Sequence, residues 1–89
     1  YDKRYKMLNF EYNHTYYMIE YRQIIYIEKE PDSKRCIIKT KYGNQVIPGT
    51  LSEVYKKLDD RFLKVHKSMI INTNEILKYE IRNNEVFIR

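Results

Sequence analysis

The chain has 89 residues, with 17 Lys and Arg against 12 Asp and Glu, which gives a formal net charge of +5. This length allows a single domain with a small core, and no stretch approaches the ~20 consecutive apolar residues of a membrane-spanning helix. Alanine is absent, whereas Ile, Val, Thr, Tyr and Phe make up 33 residues. That bias toward β-branched and aromatic side chains favours a mostly β fold.

The first half of the chain is predicted to form strands joined by turns. Residues 6–12 alternate between polar and apolar side chains, and Asn13-His14 then predicts a hairpin tip before a second strand at 15–19. A break at 21–23, with room for one helical turn, precedes a buried strand at 24–28. The pattern is typical of antiparallel β structure.

The middle of the chain is predicted to contain a second hairpin and the only helix. After the turn signal Pro31-Asp32-Ser33, residues 35–40 and 45–47 form the hairpin. Thr50 with Glu53 has the spacing of a capping box, and the apolar stripe that follows predicts a short amphipathic helix over about residues 50–59. A helix of this length needs the sheet to stabilise it.

The last third is predicted to return to strands. Strands are expected at 62–65 and 69–71, followed by a loop in which Asn72 caps the turn. A third hairpin joins 76–81 to 85–88. The sequence contains no linker, so residues 1–89 are predicted to be one domain.

The excess positive charge lies in two windows that contain no carboxylate. They run from residue 33 to 52 and from 61 to 74, and their basic and histidine residues are Lys34, Arg35, Lys39, Lys41, Arg61, Lys64, His66 and Lys67. Unopposed positive charge is expected of a surface that meets phosphate. On charge alone, a solvated basic face remains an alternative.

Few residues support catalysis. Gly43 and Gly49 cannot form a glycine-rich phosphate loop, and no Cys/His cluster has the spacing of a zinc site. The single cysteine, Cys36, lies in an apolar strand and is expected to be a core residue in a reducing cytoplasm. We therefore predict a cytoplasmic protein that is not an enzyme, with no cofactor, metal, small-molecule substrate or membrane partner.

The most specific signal lies in residues 58–72. A helix ending in Leu is followed by an aromatic-containing strand, a His-x-Ser step at 66–68 and an apolar run ending in Asn72. Together with the runs Tyr-Arg-Gln-Ile-Ile-Tyr-Ile-Glu at 21–28 and Leu-Ser-Glu-Val at 51–54, this segment resembles the LytTR family. Members of that family are DNA-binding domains of response regulators of the Agr, VirR and AlgR type.

The resemblance implies an elongated, antiparallel, multi-sheet fold with one small helix. It also implies sequence-specific binding to duplex DNA at promoter direct repeats, through loops that enter the major groove. Family contact positions fall on Lys34, with Arg35 beside it, and on Lys67 in the His-x-Ser step. His66 and Ser68 are further candidates, although His66 could instead fix the turn and Ser68 could be a turn residue.

The resemblance further implies a longer protein. An upstream receiver domain is expected before Tyr1, and a further C-terminal strand with a DNA-contacting arginine is expected after Arg89, which is not assigned that role. Two other functions stay open. A β-rich interaction module would pair a sheet edge with a partner strand, and an RNA-binding domain would stack bases on some of the ten tyrosines.

Overall fold

The computed structural model describes residues 6–89, which form three β-sheets, one α-helix and one 3-10 turn at Tyr21–Gln23. The elements are β1 Met7–Tyr12, β2 Thr15–Glu20, β3 Ile24–Lys29, β4 Arg35–Thr40, β5 Gly43–Pro48, α1 Leu51–Tyr55, β6 Phe62–His66, β7 Met69–Asn72, β8 Ile76–Glu80 and β9 Glu85–Ile88. Every strand pair is antiparallel. The predicted mostly β, antiparallel fold with one short helix is therefore confirmed.

The central sheet has five strands in the order β5-β4-β3-β7-β6. Its middle strand, β3, pairs Ile27 with Ile38 on one side and with Ile70 on the other. All three isoleucines are fully buried. Because β3 is antiparallel to both neighbours, the turn that leaves β3 and the turn that enters β7 lie at the same end of the sheet.

Both faces of this sheet are covered. On one face, α1 and the β1–β2 hairpin pack Leu51, Phe10 and Ile19 against the central isoleucines. On the other face, the β8–β9 hairpin packs Ile76 against a smaller cluster that includes Met69. Since successive side chains of a strand point to opposite faces, the apolar runs in β3 and β7 serve both clusters.

The first hairpin has the tip that the sequence predicts. Asn13 and His14 both have positive φ, 52° and 64°, as a type I′ turn requires. The turn keeps Leu8 opposite Ile19, and both side chains are buried toward α1 and the central sheet. A two-residue turn thus sets which face of the hairpin joins the core.

The helix begins as predicted. Thr50 is its N-cap: the Thr50 Oγ1 accepts a hydrogen bond from the Glu53 N–H at 3.2 Å, and the Glu53 Oε1 accepts one from the Thr50 N–H at 3.2 Å. This reciprocal pair is a capping box. The capping-box residues therefore predicted the start of the helix correctly.

The end of the helix was predicted too far along the chain. Regular α-helix ends at Tyr55 rather than near residue 59. Beyond it, the N–H groups of Lys57 and Leu58 donate to carbonyls three residues back, at 2.9 and 3.2 Å, and the Tyr21 hydroxyl donates to the Lys57 carbonyl. Carbonyls at a helix end lack a partner within the helix, and the Tyr21 hydroxyl supplies one here. No helix within residues 6–89 is long and apolar enough to cross a bilayer.

Candidate nucleic-acid interface

Two turns lie side by side at one end of the five-stranded sheet. The Lys29 N–H donates to the Ser68 carbonyl at 3.0 Å, and the Glu30 N–H donates to the Arg35 carbonyl at 3.0 Å. Neighbouring strands are about 4.8 Å apart, so β4 and β7, which flank β3, lie roughly 10 Å apart. We call residues 29–35 and 66–68 the turn end.

Lys34 and Lys67 are both exposed at the turn end. Neither belongs to any of the ion pairs formed among residues 6–89. The backbone at Lys34 is nevertheless held in place, because its carbonyl accepts a hydrogen bond from the Gly49 N–H at 2.8 Å. The fold thus brings the two predicted contact positions together as available positive charges on ordered turns.

Arg35 is also at the turn end but has a partner. Its Nε and Nη2 donate to the Glu30 Oε1 at 2.9 and 2.5 Å. The hydrogen bond from Arg35, and a second one from the Ser33 side chain, hold the pKa of Glu30 below its usual value. Arg35 therefore has one edge of its guanidinium occupied within the protein.

The His-x-Ser step forms a local hydrogen-bonded unit. The Ser68 N–H points at the His66 Nδ1 at 3.2 Å, and the Ser68 Oγ lies 2.8 Å from the same nitrogen. Since Nδ1 accepts the backbone hydrogen bond, the ring hydrogen is on Nε2. His66 therefore fixes the turn, which was one of its two predicted roles, and Nε2 remains a donor.

The remaining basic residues of the two windows lie elsewhere. Lys39 lies within β4 and Lys64 within β6, and neither forms an ion pair among residues 6–89. At the other end of the sheet, which we call the opposite end (residues 41–42, 61 and 73–75), Lys41 pairs with Glu75 at 3.3 Å. Arg61 pairs there with Asp59 at 3.1 Å, and its guanidinium carbon lies 5.4 Å from the centre of the Tyr21 ring. The sheet thus separates the charges of each window.

One exposed lysine of the turn end was not identified from the sequence. Lys29 ends β3 between the two turns and forms no ion pair with any residue in the range 6–89. It lies outside the carboxylate-free windows because Glu28 and Glu30 flank it. Its position as the last residue of the central strand, just before a turn, was the available signal.

Cys36 is a core residue, as predicted. It is fully buried under α1, and this burial, more than any nearby charge, raises the pKa of its thiol to about 11. A thiol in this state is a poor nucleophile at neutral pH. Within residues 6–89, no group of three or more His, Cys, Asp or Glu side chains is placed to hold a metal ion.

Comparison with known proteins gives the family. A search of the curated proteins finds no match. Among solved structures, the chain is similar to the LytTr DNA-binding domain of a Bacillus cereus protein named as a methyl-accepting/DNA response regulator, with a TM-score of 0.64 and 19% identity over 90% of this chain and 82% of that one. The family model described as the LytTr DNA-binding domain matches residues 14–89. The match confirms the predicted resemblance: this chain belongs to the LytTR family of DNA-binding domains.

Proposed function

We propose that this chain is the sequence-specific output domain of a cytoplasmic two-component transcriptional regulator and binds duplex DNA with the turn end. The observation that supports this most is the clustering of exposed, unpaired basic residues at one end of the sheet. Lys29, Lys34 and Lys67 are exposed and form no ion pair among the described residues. Lys29 is the last residue of β3, and Lys34 and Lys67 lie on the two adjacent turns. A surface that binds phosphate needs basic side chains that are exposed and not already paired with a carboxylate.

The turns project from one end of the sheet, where their side chains can reach base edges and phosphates along a major groove. The lysines, as flexible point charges, pair with phosphates, whereas Arg35 has the planar fork that guanine O6 and N7 accept in pairs. The His66 Nε2 adds a neutral donor beside them, and the Ser68 hydroxyl, whose hydrogen is donated to the His66 Nδ1, adds an acceptor. Phosphate contacts then position the domain, and Arg35 contributes sequence readout.

The proposed partners follow from this role. Promoter direct repeats are the DNA target, and a receiver domain in the full-length protein controls pairing of two such domains on them. The Bacillus cereus relative, named as a response regulator, supports this assignment by analogy. No membrane or small-molecule substrate takes part.

The test is a salt titration of DNA binding with matched variants. A preferred duplex is first selected from a randomised pool, and its affinity is compared with that of a scrambled duplex between 50 and 200 mM salt. Lys29→Ala, Lys34→Ala and Lys67→Ala should each weaken binding severalfold and lower the slope of log K against log salt by about 0.9. Lys41→Ala removes the same charge at the opposite end and is the control.

Three results would contradict the proposal: binding that does not depend on salt, no loss in any turn-end variant, or an equal loss in Lys41→Ala. The same titration distinguishes a protein-interaction module, which would hold both duplexes weakly and equally. Circular dichroism of each variant shows that the fold is intact.

A further inference from the structure

The turn end contains a carboxylate that its proposed function does not explain. Glu30 lies between Lys29 and Lys34, where a negative charge repels phosphate. We propose that Glu30 is a specificity-determining residue: it holds the Arg35 guanidinium in place for guanine, and it weakens binding to DNA that offers no guanine there. This inference rests on the proposed function and deepens it.

The geometry leaves one edge of Arg35 available. A guanidinium has five N–H donors, and the Nε and one Nη2 hydrogen are used on the Glu30 Oε1, at 2.9 and 2.5 Å. The two hydrogens of Nη1 and the second one of Nη2 remain. One hydrogen from each nitrogen points from the far edge in parallel, which is the arrangement that a bidentate contact with guanine O6 and N7 requires.

Glu30 lies beneath Arg35 rather than beside it. The Glu30 side chain is 23% exposed, whereas that of Arg35 is 58% exposed, so the carboxylate is the inner partner and the guanidinium the outer one. The turn itself is closed by the bond between the Glu30 N–H and the Arg35 carbonyl, and by the bond from the Arg35 N–H to the Ser33 Oγ at 3.0 Å. Hydrogen bonds therefore fix the backbone at both Glu30 and Arg35.

A fixed arginine differs from the lysines around it. Lys34 and Lys67 have flexible stems and can follow any phosphate, so they give affinity without sequence preference. Arg35 held by Glu30 loses little freedom when it meets a guanine in register, but it cannot move far to reach a phosphate instead. Glu30 thus lowers affinity for all DNA through its charge and restores it only on the correct sequence.

The experiment measures the specificity ratio of the 89-residue chain, which is the affinity for the selected duplex divided by that for the scrambled duplex at one salt concentration. Glu30→Ala, which removes the acceptor oxygen and the charge together, should bind scrambled DNA more tightly and lower the ratio by about tenfold, the discrimination expected of one bidentate base contact. Glu75→Ala at the opposite end raises the net charge equally and should leave the ratio unchanged. Equal ratios in Glu30→Ala and Glu75→Ala would overturn the inference.

Base substitution tests the contact itself. Replacing each guanine in turn by 7-deazaguanine, which lacks the N7 acceptor, should weaken wild-type binding at one position. Arg35→Lys and Glu30→Ala should both lose that sensitivity while their unfolding curves stay like the wild type. Sensitivity that persists in both variants would overturn the role of Glu30 and Arg35 alone, whereas a wild type that does not discriminate between duplexes would overturn the proposed function as well.

Discussion

At the turn end of the five-stranded sheet, Lys34 and Lys67 are exposed and form no ion pair within the described part of the chain, whereas at the opposite end Lys41 is paired with Glu75 and Arg61 with Asp59. Both ends draw on the same two carboxylate-free windows of the sequence. The comparison teaches that a basic window does not by itself define an interface. The order of strands determines which basic residues of a window lie together at one end of the sheet.

The opposite end uses its polar groups to join separate parts of the chain. The Arg61 carbonyl accepts hydrogen bonds from both the N–H and the hydroxyl of Thr73, each at 2.8 Å. The Arg89 N–H donates to the Glu75 carbonyl at 3.0 Å, which ties down the β8–β9 hairpin. At the turn end, backbone hydrogen bonds close the turns, and the side chains of Lys34 and Lys67 form no ion pair among residues 6–89.

The largest expected effect on stability distinguishes the two glycines, one at each end. Gly49 and Gly43 have nearly the same φ, +124° and +125°. A Cβ at Gly49 would lie 2.6 Å from Cζ of the buried Phe10 ring, whereas one at Gly43 would meet nothing within 4 Å. We expect Gly43→Ala to cost about 1–2 kcal/mol from backbone strain, and Gly49→Ala about 1–3 kcal/mol more from the clash.

Urea unfolding of the two variants checks this difference, with Gly43→Ala as the matched control for backbone strain. Gly49→Ala should also reduce DNA affinity, because the Gly49 N–H holds the Lys34 carbonyl. Equal losses of stability in the two variants would show that the Phe10 contact does not constrain the turn end.

The second effect concerns Asn72, which is 1% exposed at the end of β7. Its Nδ2 donates to the carbonyls of Tyr21 and Ile24 at 3.3 and 2.8 Å, and its Oδ1 accepts from the Asn74 N–H at 2.9 Å. Asn72→Ala removes three hydrogen bonds around a buried side chain and should lower the free energy of unfolding by about 2–3 kcal/mol. Urea unfolding measures the loss.

The control for Asn72 is Asn44→Ala, an exposed asparagine near the same end of the sheet, which should change stability by less than about 0.5 kcal/mol. At a temperature where Asn72→Ala is folded, its affinity for DNA should equal that of the wild type. A loss of affinity in the folded variant would mean that the opposite end also contacts DNA.

Much of the fold could be predicted from local patterns. The Asn13-His14 tip, the Thr50–Glu53 capping box and the bounds of β4 depend on neighbours in the sequence, and each is confirmed. The end of α1 was predicted too far along the chain, because the apolar stripe continues to Leu58, which packs against the core from a turn that follows the helix. Local patterns thus predict the start of α1 better than its end.

The sequence predicted which residues form the candidate site, but not which basic side chains form ion pairs. Family resemblance indicated Lys34 and Lys67, and the antiparallel sheet brings their turns together. Lys41 pairs with Glu75, far along the sequence, because the turns after β4 and β7 meet at the opposite end. Arg61 instead pairs with Asp59, two residues before it. Charge counted along the sequence cannot predict the first pair, whereas the order of strands can.

The smallest expected effect is a dependence of stability on pH that begins at the capping box of α1. Hydrogen bonds from the backbone N–H and then the hydroxyl of Thr50 hold the pKa of Glu53 below its usual value of 4.5. Because the folded pKa is the lower one, the stabilisation is complete above about pH 4.5 and is lost as the pH falls through the folded pKa.

Urea midpoints between pH 7 and 3 should fall less steeply in Glu53→Gln than in the wild type. If the two pH profiles coincide, the capping box contributes nothing that titrates. If they diverge, protonation weakens the start of α1, which the bond between the Gly49 N–H and the Lys34 carbonyl joins to the turn end.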